Sequence, residues 1–467
     1  MANVRLYYKN VTSAMIGEEH GITPRQLRAL GARTRPILRK IESLRSSGQE
    51  RYRELPYDRS NPRLVKRLAN DLRPNCDDLV VLGIGGSALG NIALQTALNP
   101  YLYNLDPSQR KGPRLFVLDN IDPVQFASFL DWIEPRLERT IFNVISKSGR
   151  TSETASQMLI CWEMLANRLG QGRIREHIVA TTDPRSGTLR RIVEKEGLMN
   201  LEVPEGVGGR FSVLSPVGLF SAAMCGIDID RLLAGARAMD RRVSTDRFLD
   251  NPAALIAAIN WHYYQQGKTM SVMMPYSYQL KDMADWYRQL WAESLGKAKD
   301  TKGRYVYVGP TPIKALGATD QHSQIQLYRE GPNNKLFTFL YARRLDRDVA
   351  IGPTLPCAPE LGFLAGKTLG QLLDAERKAT EYALIVNQRP CLEVVFDRID
   401  AHTIGQFIYL YEVATSIAGR LFEIDPYDQP AVELGKDATY ALMGKEGCED
   451  LLSQMQPVIG LDQQYLV

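Results

Sequence analysis

Two short segments of this 467-residue chain carry residue types that can hold an anion. The first is Gly83-Ile84-Gly85-Gly86-Ser87-Ala88-Leu89-Gly90, entered from the apolar run 79–82 and left through a helical pattern. Glycines let backbone N–H groups approach a negative charge, and the start of the following helix adds the positive end of its dipole. The second is Ser146-Lys147-Ser148-Gly149-Arg150-Thr151-Ser152-Glu153-Thr154, which follows the apolar run 142–145. It sets five hydroxyls and two cations just ahead of a helix. Hydroxyls and free backbone donors at a helix start suit a phosphate monoester. Capping alone accounts for one or two of these hydroxyls but poorly for all of them. The segment lacks a G-K-[ST] ending, so it is not a nucleotide P-loop.

The first loop also half-fits a dinucleotide pattern, Gly83-x-Gly85-x-x-Ala88. That pattern needs an acidic residue about 20 positions on. Asp119, after the run 115–118, stands 36 residues beyond Gly83. A nicotinamide-dependent oxidoreductase would also leave the hydroxyl-rich loop unused.

The elements that must position these loops come in two sets. Apolar runs at 79–82, 115–118, 142–145 and 178–181 alternate with helical patterns such as Leu159, Trp162, Ala166 and Leu169. A further candidate strand lies at 201–203. This alternation predicts a parallel sheet with helices on both faces. The second set begins near 250, where Asn251 caps and Pro252 opens a helix. Its predicted strands are 270–274, 305–308, 336–340 and 392–396. The boundary between the two units falls around 235–250. Residues 1 to about 50 read as helical, with Ile37, Ile41 and Leu44 at helical spacing. The last 30 residues read as a helical tail.

Composition narrows the function classes. Hydrophobic residues make up 44% and charged residues 24%, as in ordinary soluble proteins. A net charge of +4 is too small to argue for nucleic acid or an anionic membrane. Met1 to Asn10 contains no apolar signal core, and no apolar stretch approaches the ~20 residues of a membrane helix. The expected location is cytoplasmic. Cys76, Cys161, Cys225, Cys357, Cys391 and Cys448 are widely spaced and read as reduced core thiols. His20, His177, His262, His322 and His402 offer no metal-ligand spacing, so no metal site is expected.

Four further segments narrow the reaction. They are Gly208-Gly209-Arg210-Phe211-Ser212, Gln289-Leu290-Trp291-Ala292-Glu293-Ser294-Leu295-Gly296-Lys297, Thr319-Asp320-Gln321-His322-Ser323-Gln324, and Tyr427-Asp428-Gln429-Pro430-Ala431-Val432-Glu433-Leu434-Gly435-Lys436. The third segment follows a glycine-containing loop. The second lies on a helix beginning near Lys281, and the fourth enters a helix with Pro430 at its first position. Glu293 stands four residues after Gln289, so the two share a helix face, with Trp286 one turn earlier. A carboxylate beside aromatic surface has the raised pKa that suits a base. The plainer reading of the same spacing is a solvated Glu293–Lys297 pair.

In this order and spacing the six segments resemble the phosphoglucose isomerase family, from about residue 78 to 440. The resemblance implies an α/β chain of two sugar-isomerase-type doubly wound parallel-sheet domains, each an α/β/α sandwich, with helical N- and C-terminal extensions. The corresponding boundaries are 1–50, 51–240, 241–440 and 441–467. The implied reaction is the interconversion of D-glucose 6-phosphate and D-fructose 6-phosphate through an enediol. Such chemistry needs a base, a positive charge at the developing oxyanion and help in opening the sugar ring, but no cofactor or metal.

By the same resemblance Glu293 is the base, Arg210 faces the enediolate, and His322 and Lys436 assist ring opening. Gly86, Ser87, Ser146, Lys147, Ser148 and Thr151 would hold the phosphate and nearby hydroxyls, with Gln289 and Gln429 as further substrate contacts. The family's homodimer implies that His322 is supplied across the interface. Arg150 departs from the family pattern, which carries a smaller hydroxyl residue there. The rival on the same fold is a non-catalytic phosphosugar-binding protein. An amidotransferase-type isomerase would bring an N-terminal cysteine nucleophile, where this sequence begins Met1-Ala2-Asn3.

Overall fold

A computed structural model describes residues 3–467, so Met1 and Ala2 of the expected N-terminal extension lie outside the described residues. The twelve strands among the described residues are β1 (Val4–Tyr7), β2 (Asp78–Leu82), β3 (Arg114–Leu118), β4 (Thr140–Ile145), β5 (Ile178–Thr182), β6 (Met199–Glu202), β7 (Met270–Pro275), β8 (Lys297–Lys299), β9 (Tyr305–Val308), β10 (Thr311–Lys314), β11 (Lys335–Ala342) and β12 (Cys391–Phe396). The first sheet runs β3-β2-β4-β5-β6 and is parallel throughout. Strands β2, β4 and β5 are buried along their whole length, because helices cover both faces.

The second sheet runs β1-β12-β11-β7-β10. Strands β12, β11, β7 and β10 are parallel, and they repeat the winding of the first sheet. In each, the first of the parallel strands in sequence (β2 or β7) lies inside, the next (β3 or β10) falls on one side, and the following two go to the other. The chain therefore reverses direction across the sheet beside β2 and beside β7. Open α/β sheets bind ligands at such points, outside the carboxyl ends of the strands.

Three elements differ from the sequence expectation. The segment 305–308 is a strand, but it pairs with β8 in a separate antiparallel ribbon and does not join the second sheet. Its residues alternate between exposed and half-buried, the pattern of a surface ribbon. The place in the sheet goes to β10, which pairs in parallel with β7. The N-terminal segment, expected to be helical, begins with β1, which runs antiparallel along β12. It covers a sheet edge whose N–H and C=O groups would otherwise lack partners. The Pro24–Ser46 helix follows, opened by a Thr23–Gln26 capping box.

One large apolar core reaches both sheets, from Leu79 and Val81 to Leu340 and Val394. The helices Ile229–Val243 and Ala401–Leu421 join the halves across it. Two glycines let them touch backbone to backbone. A Cβ on Gly235 would lie 1.8 Å from the His402 carbonyl oxygen, and one on Gly405 would lie 1.9 Å from that of Leu232. Cys76, Cys161, Cys225 and Cys391 are buried free thiols, as expected of core cysteines, whereas Cys357 is exposed and Cys448 half-buried.

Candidate active site

The Lys281–Leu295 helix carries Gln289 and Glu293 on one face, as their spacing predicts, and the Gln289 Nε2 amide donates to Glu293 Oε2 at 3.0 Å. The expected aromatic neighbour goes elsewhere. Trp286 is buried, with its ring 6.3 Å from that of Phe407. What meets the carboxylate is Arg210, whose Nη1 donates to Glu293 Oε1 at 2.9 Å.

Arg210 sits in a short turn, Gly209–Phe211, and its side chain is 2% exposed. It uses its whole fork. Nη1 also donates to Gln429 Oε1 at 2.8 Å, Nε to Ser294 Oγ at 2.7 Å, and Nη2 to the carbonyls of Pro426 and Asp428 at 2.7 and 3.1 Å. Burial pulls its pKa below the ordinary guanidinium value, and the Glu293 carboxylate opposes that shift. The glycine-rich loop packs directly on this turn. A Cβ on Gly86 would lie 2.3 Å from the Gly209 carbonyl carbon and 2.7 Å from the Arg210 nitrogen. Gly85, at φ +57°, faces the Gln289 amide. The glycines that read as an anion loop thus also give the Arg210 turn room.

The hydroxyl-rich segment follows β4 and leads into the Ser152–Leu169 helix. Its hydroxyls shape the loop itself: Ser146 Oγ accepts from the Gly149 N–H at 3.0 Å and pairs with Thr151 Oγ1 at 3.3 Å, while Ser148 Oγ accepts from the Arg150 N–H at 3.2 Å. None of them caps the helix; Thr151 stands at the cap position without a side-chain cap bond. The first-turn donors are therefore left for an incoming anion. Lys147 Nζ donates to the Val207 carbonyl at 3.2 Å, which ties this loop to the approach to Arg210. Ser87 lies in the Gly85–Ser87 turn at the head of the Leu89–Leu98 helix, which also lacks a side-chain cap. The Arg150 side chain is exposed and makes no hydrogen bond or ion pair among the described residues, whereas its carbonyl accepts from Tyr440 Oη at 2.8 Å.

Two expected residues stand apart from this group. Lys436, on the exposed Ala431–Leu442 helix, pairs with Glu433 at 2.7 Å. His322 is exposed, in a turn organised by Asp320, whose carboxylate accepts from the Leu316 N–H and the Ser323 hydroxyl, each at 2.6 Å. Neither is linked to Glu293 or Arg210 by a hydrogen bond or ion pair among the described residues.

Sequence reasoning missed Lys297. The helix ends at Leu295 and Gly296 leaves the helical path, so the i, i+4 geometry of a surface pair with Glu293 never forms. Lys297 is instead buried, donating to the backbone carbonyls of Glu293 and Asp428. Gly296 was the available signal. Also missed was the support under Asp428 and Gln429. The Tyr427 hydroxyl reaches Glu50 and Ser416, and its ring lies 5.5 Å from that of Phe211. Glu50 is 1% exposed and is held by Arg420 at 2.7 Å.

Residues 73–451 match the family described as "Phosphoglucose isomerase". The chain is 50% identical to a glucose-6-phosphate isomerase of Carboxydothermus hydrogenoformans over 83% of each chain. It is 41% identical to that of Rubrobacter xylanophilus over 96% of this chain and 99% of the relative. Among solved structures, a hypothetical protein from Thermus thermophilus superimposes with a TM-score of 0.84 at 34% identity, covering 94% of this chain and all of the other. A glucose-6-phosphate isomerase from Chlamydia trachomatis shares the fold, with a TM-score of 0.79 at 22% identity over 98% and 92% of the two chains. With the 208–212 and 427–436 segments meeting at Arg210, and with the match spanning most of its length, the chain belongs to the phosphoglucose isomerase family.

Proposed function

We propose that this chain interconverts D-glucose 6-phosphate and D-fructose 6-phosphate, an aldose–ketose isomerisation used in glycolysis and, in reverse, gluconeogenesis. The observation that carries the reading is the Arg210 guanidinium, shared between the Glu293 carboxylate and Gln429 beside the glycine-rich loop. No observation favours the non-catalytic alternative.

The phosphate enters the open start of the Ser152–Leu169 helix, among Ser146, Lys147, Ser148 and Thr151, with Gly86 and Ser87 at its flank. The open-chain sugar then lies with C1 and C2 between Glu293 and Arg210. From aldose to ketose, Glu293 takes the proton from C2 and returns it to C1, while the C2 hydroxyl gives up its proton and O1 gains one; the reverse reaction retraces these steps. Arg210 neutralises the enediolate, a charge that exists only between the two ends of the reaction, so its contribution falls on the rate. Gln289 orients the carboxylate, and Gln429 contacts substrate hydroxyls. Lys436 and His322 serve ring opening, Lys436 by movement of its exposed helix and His322 from a second copy of the chain. The active species is therefore a cytoplasmic homodimer. Among the described residues no helix is long and apolar enough to cross a membrane.

The test is a coupled assay with fructose 6-phosphate supplied and glucose 6-phosphate followed through its dehydrogenase. Absence of turnover by folded protein would sink the reading. Shared sites are tested by mixing His322→Ala with Glu293→Gln under conditions that exchange subunits. Each variant alone is inactive. If His322 crosses the interface, a statistical mixture regains about a quarter of wild-type activity, since half the dimers carry one intact site. No recovery in verified heterodimers places His322 within its own chain's site.

A further inference from the structure

We infer that Lys297 is a positioning residue, which holds the Glu293 backbone against the 426–429 loop and so fixes the carboxylate relative to the substrate carbons. The inference rests on the isomerase reading above. The Lys297 ammonium is in an unusual place for a lysine: the side chain is 6% exposed, and its two shortest contacts are to backbone carbonyls of the site. Nζ donates to the Glu293 carbonyl at 2.9 Å and to the Asp428 carbonyl at 2.8 Å, with Asp428 Oδ1 at 3.4 Å.

Arg210 grips the same loop, sharing the Asp428 carbonyl with Lys297 and also reaching the Pro426 carbonyl and the Gln429 side chain. The contacts form a closed ring, running from the Glu293 side chain to Arg210, to the 426–429 loop, to Lys297 and back to the Glu293 backbone. Arg210 has to attend to the enediolate during the reaction. Lys297 does not, so its arm of the ring keeps the carboxylate and the loop together while Arg210 changes partners. Burial lowers the Lys297 pKa, opposed by Asp428, so the position is costly to occupy with a cation and is not a casual surface contact.

The test is Lys297→Met, which keeps the stem length and removes the ammonium. Turnover is measured in D2O, counting by NMR the deuterium incorporated per turnover. A carboxylate held between C1 and C2 and covered by the loop carries substrate hydrogen from one carbon to the other. A loosened one exchanges that hydrogen with solvent first. The expected result is a fall in kcat of about tenfold or more, a KM for fructose 6-phosphate within about threefold of wild type, and at least twice the deuterium per turnover. Lys297→Arg, which retains a cation, falls between. Deuterium per turnover does not depend on how much protein is folded, so a merely structural lysine would leave it unchanged. That result, or a kcat within about twofold of wild type, overturns the inference. If Lys297→Met does not fold, Lys297→Arg carries the same two readouts. Wild-type protein without turnover instead overturns the isomerase reading, and this inference with it.

Discussion

The two parallel sheets share a winding, and they treat the helix after their third strand in opposite ways. In the first sheet that helix, Ser152–Leu169, starts without a side-chain cap although its loop is crowded with hydroxyls. In the second, the matching Leu369–Ile385 helix has a full Thr368–Gln371 capping box. The Asp348 carboxylate also accepts from the Gly370 N–H at 2.9 Å. The second helix start is thus filled by an anion from its own chain, where the first is left open for one from solution. A binding site here is made less by adding donors than by withholding the acceptors that would satisfy them. The chemistry then follows the open start: Arg210 comes from the first half, and the second half lends Glu293 and Gln429 across the junction.

The strongest way to break this contrast is to remove the proposed base. Glu293→Gln keeps the shape and a contact to Arg210, and turnover should fall by about 10²–10⁴-fold with phosphosugar affinity near wild type. Retention of more than a few per cent of wild-type activity would show that the base lies elsewhere. Gly86→Ala comes next. Its new Cβ meets Gly209 backbone that has no room to give, so a loss of about 1–3 kcal/mol in stability is expected, together with a displaced Arg210 turn and reduced kcat. Unchanged stability and kcat would mean the loops are not locked together.

The second sheet should show its own signature, in stability and not in rate. Glu381, on the Leu369–Ile385 helix, meets Glu393 of β12, with Asn10, Arg377, Tyr341 and Tyr7 around the pair. Burial and then the Glu393 charge raise its pKa to about 7. A carboxyl raised in the folded state contributes most stability below its unfolded pKa, and that contribution is lost as pH climbs through about 7. Wild-type Tm should therefore carry a falling component from about pH 4.5 to 7, which Glu381→Gln removes. An unchanged slope in the variant assigns the pH dependence to other groups. The smallest effect is expected of Asp348→Asn. It should lower Tm slightly and leave turnover within about twofold of wild type, because this helix start binds no substrate. A large loss of activity would erase the proposed division between the sheets.

The buried strands were legible because parallel strands covered on both faces must be continuous apolar runs, as at β2 and β4. The edge was not. Thr311-Pro312-Ile313-Lys314 is absent from the expected strands, and such a polar, proline-bearing segment is acceptable only where one side of the strand lacks a partner. The alternating Tyr305–Val308 looked like the better candidate and belongs to a surface ribbon. At the site, the shared face of Gln289 and Glu293 followed from spacing alone. The Arg210 fork did not, because it joins residues 219 positions apart. His322 and Lys436 carry no local signal beyond their motifs, and the single chain leaves both away from Glu293. Lys297 was hidden by a helix rule applied two residues past the helix end.

The edge strand β1 has a consequence for the order in which the chain becomes competent. Val4 pairs with Phe396, so the first strand made must wait for the last. Gln429 and Lys436 emerge later still, and the Ala431–Leu442 helix then returns to the first sheet through Tyr440 and Arg150. Contacts of such long sequence separation form late, since closing a long loop costs entropy before any contact repays it. During synthesis the first sheet and its open helix start can exist well before Glu293 and the 426–429 loop reach them. If the proposed site roles hold, a nascent or truncated chain would be a phosphate holder without a proton carrier, occupying substrate without consuming it.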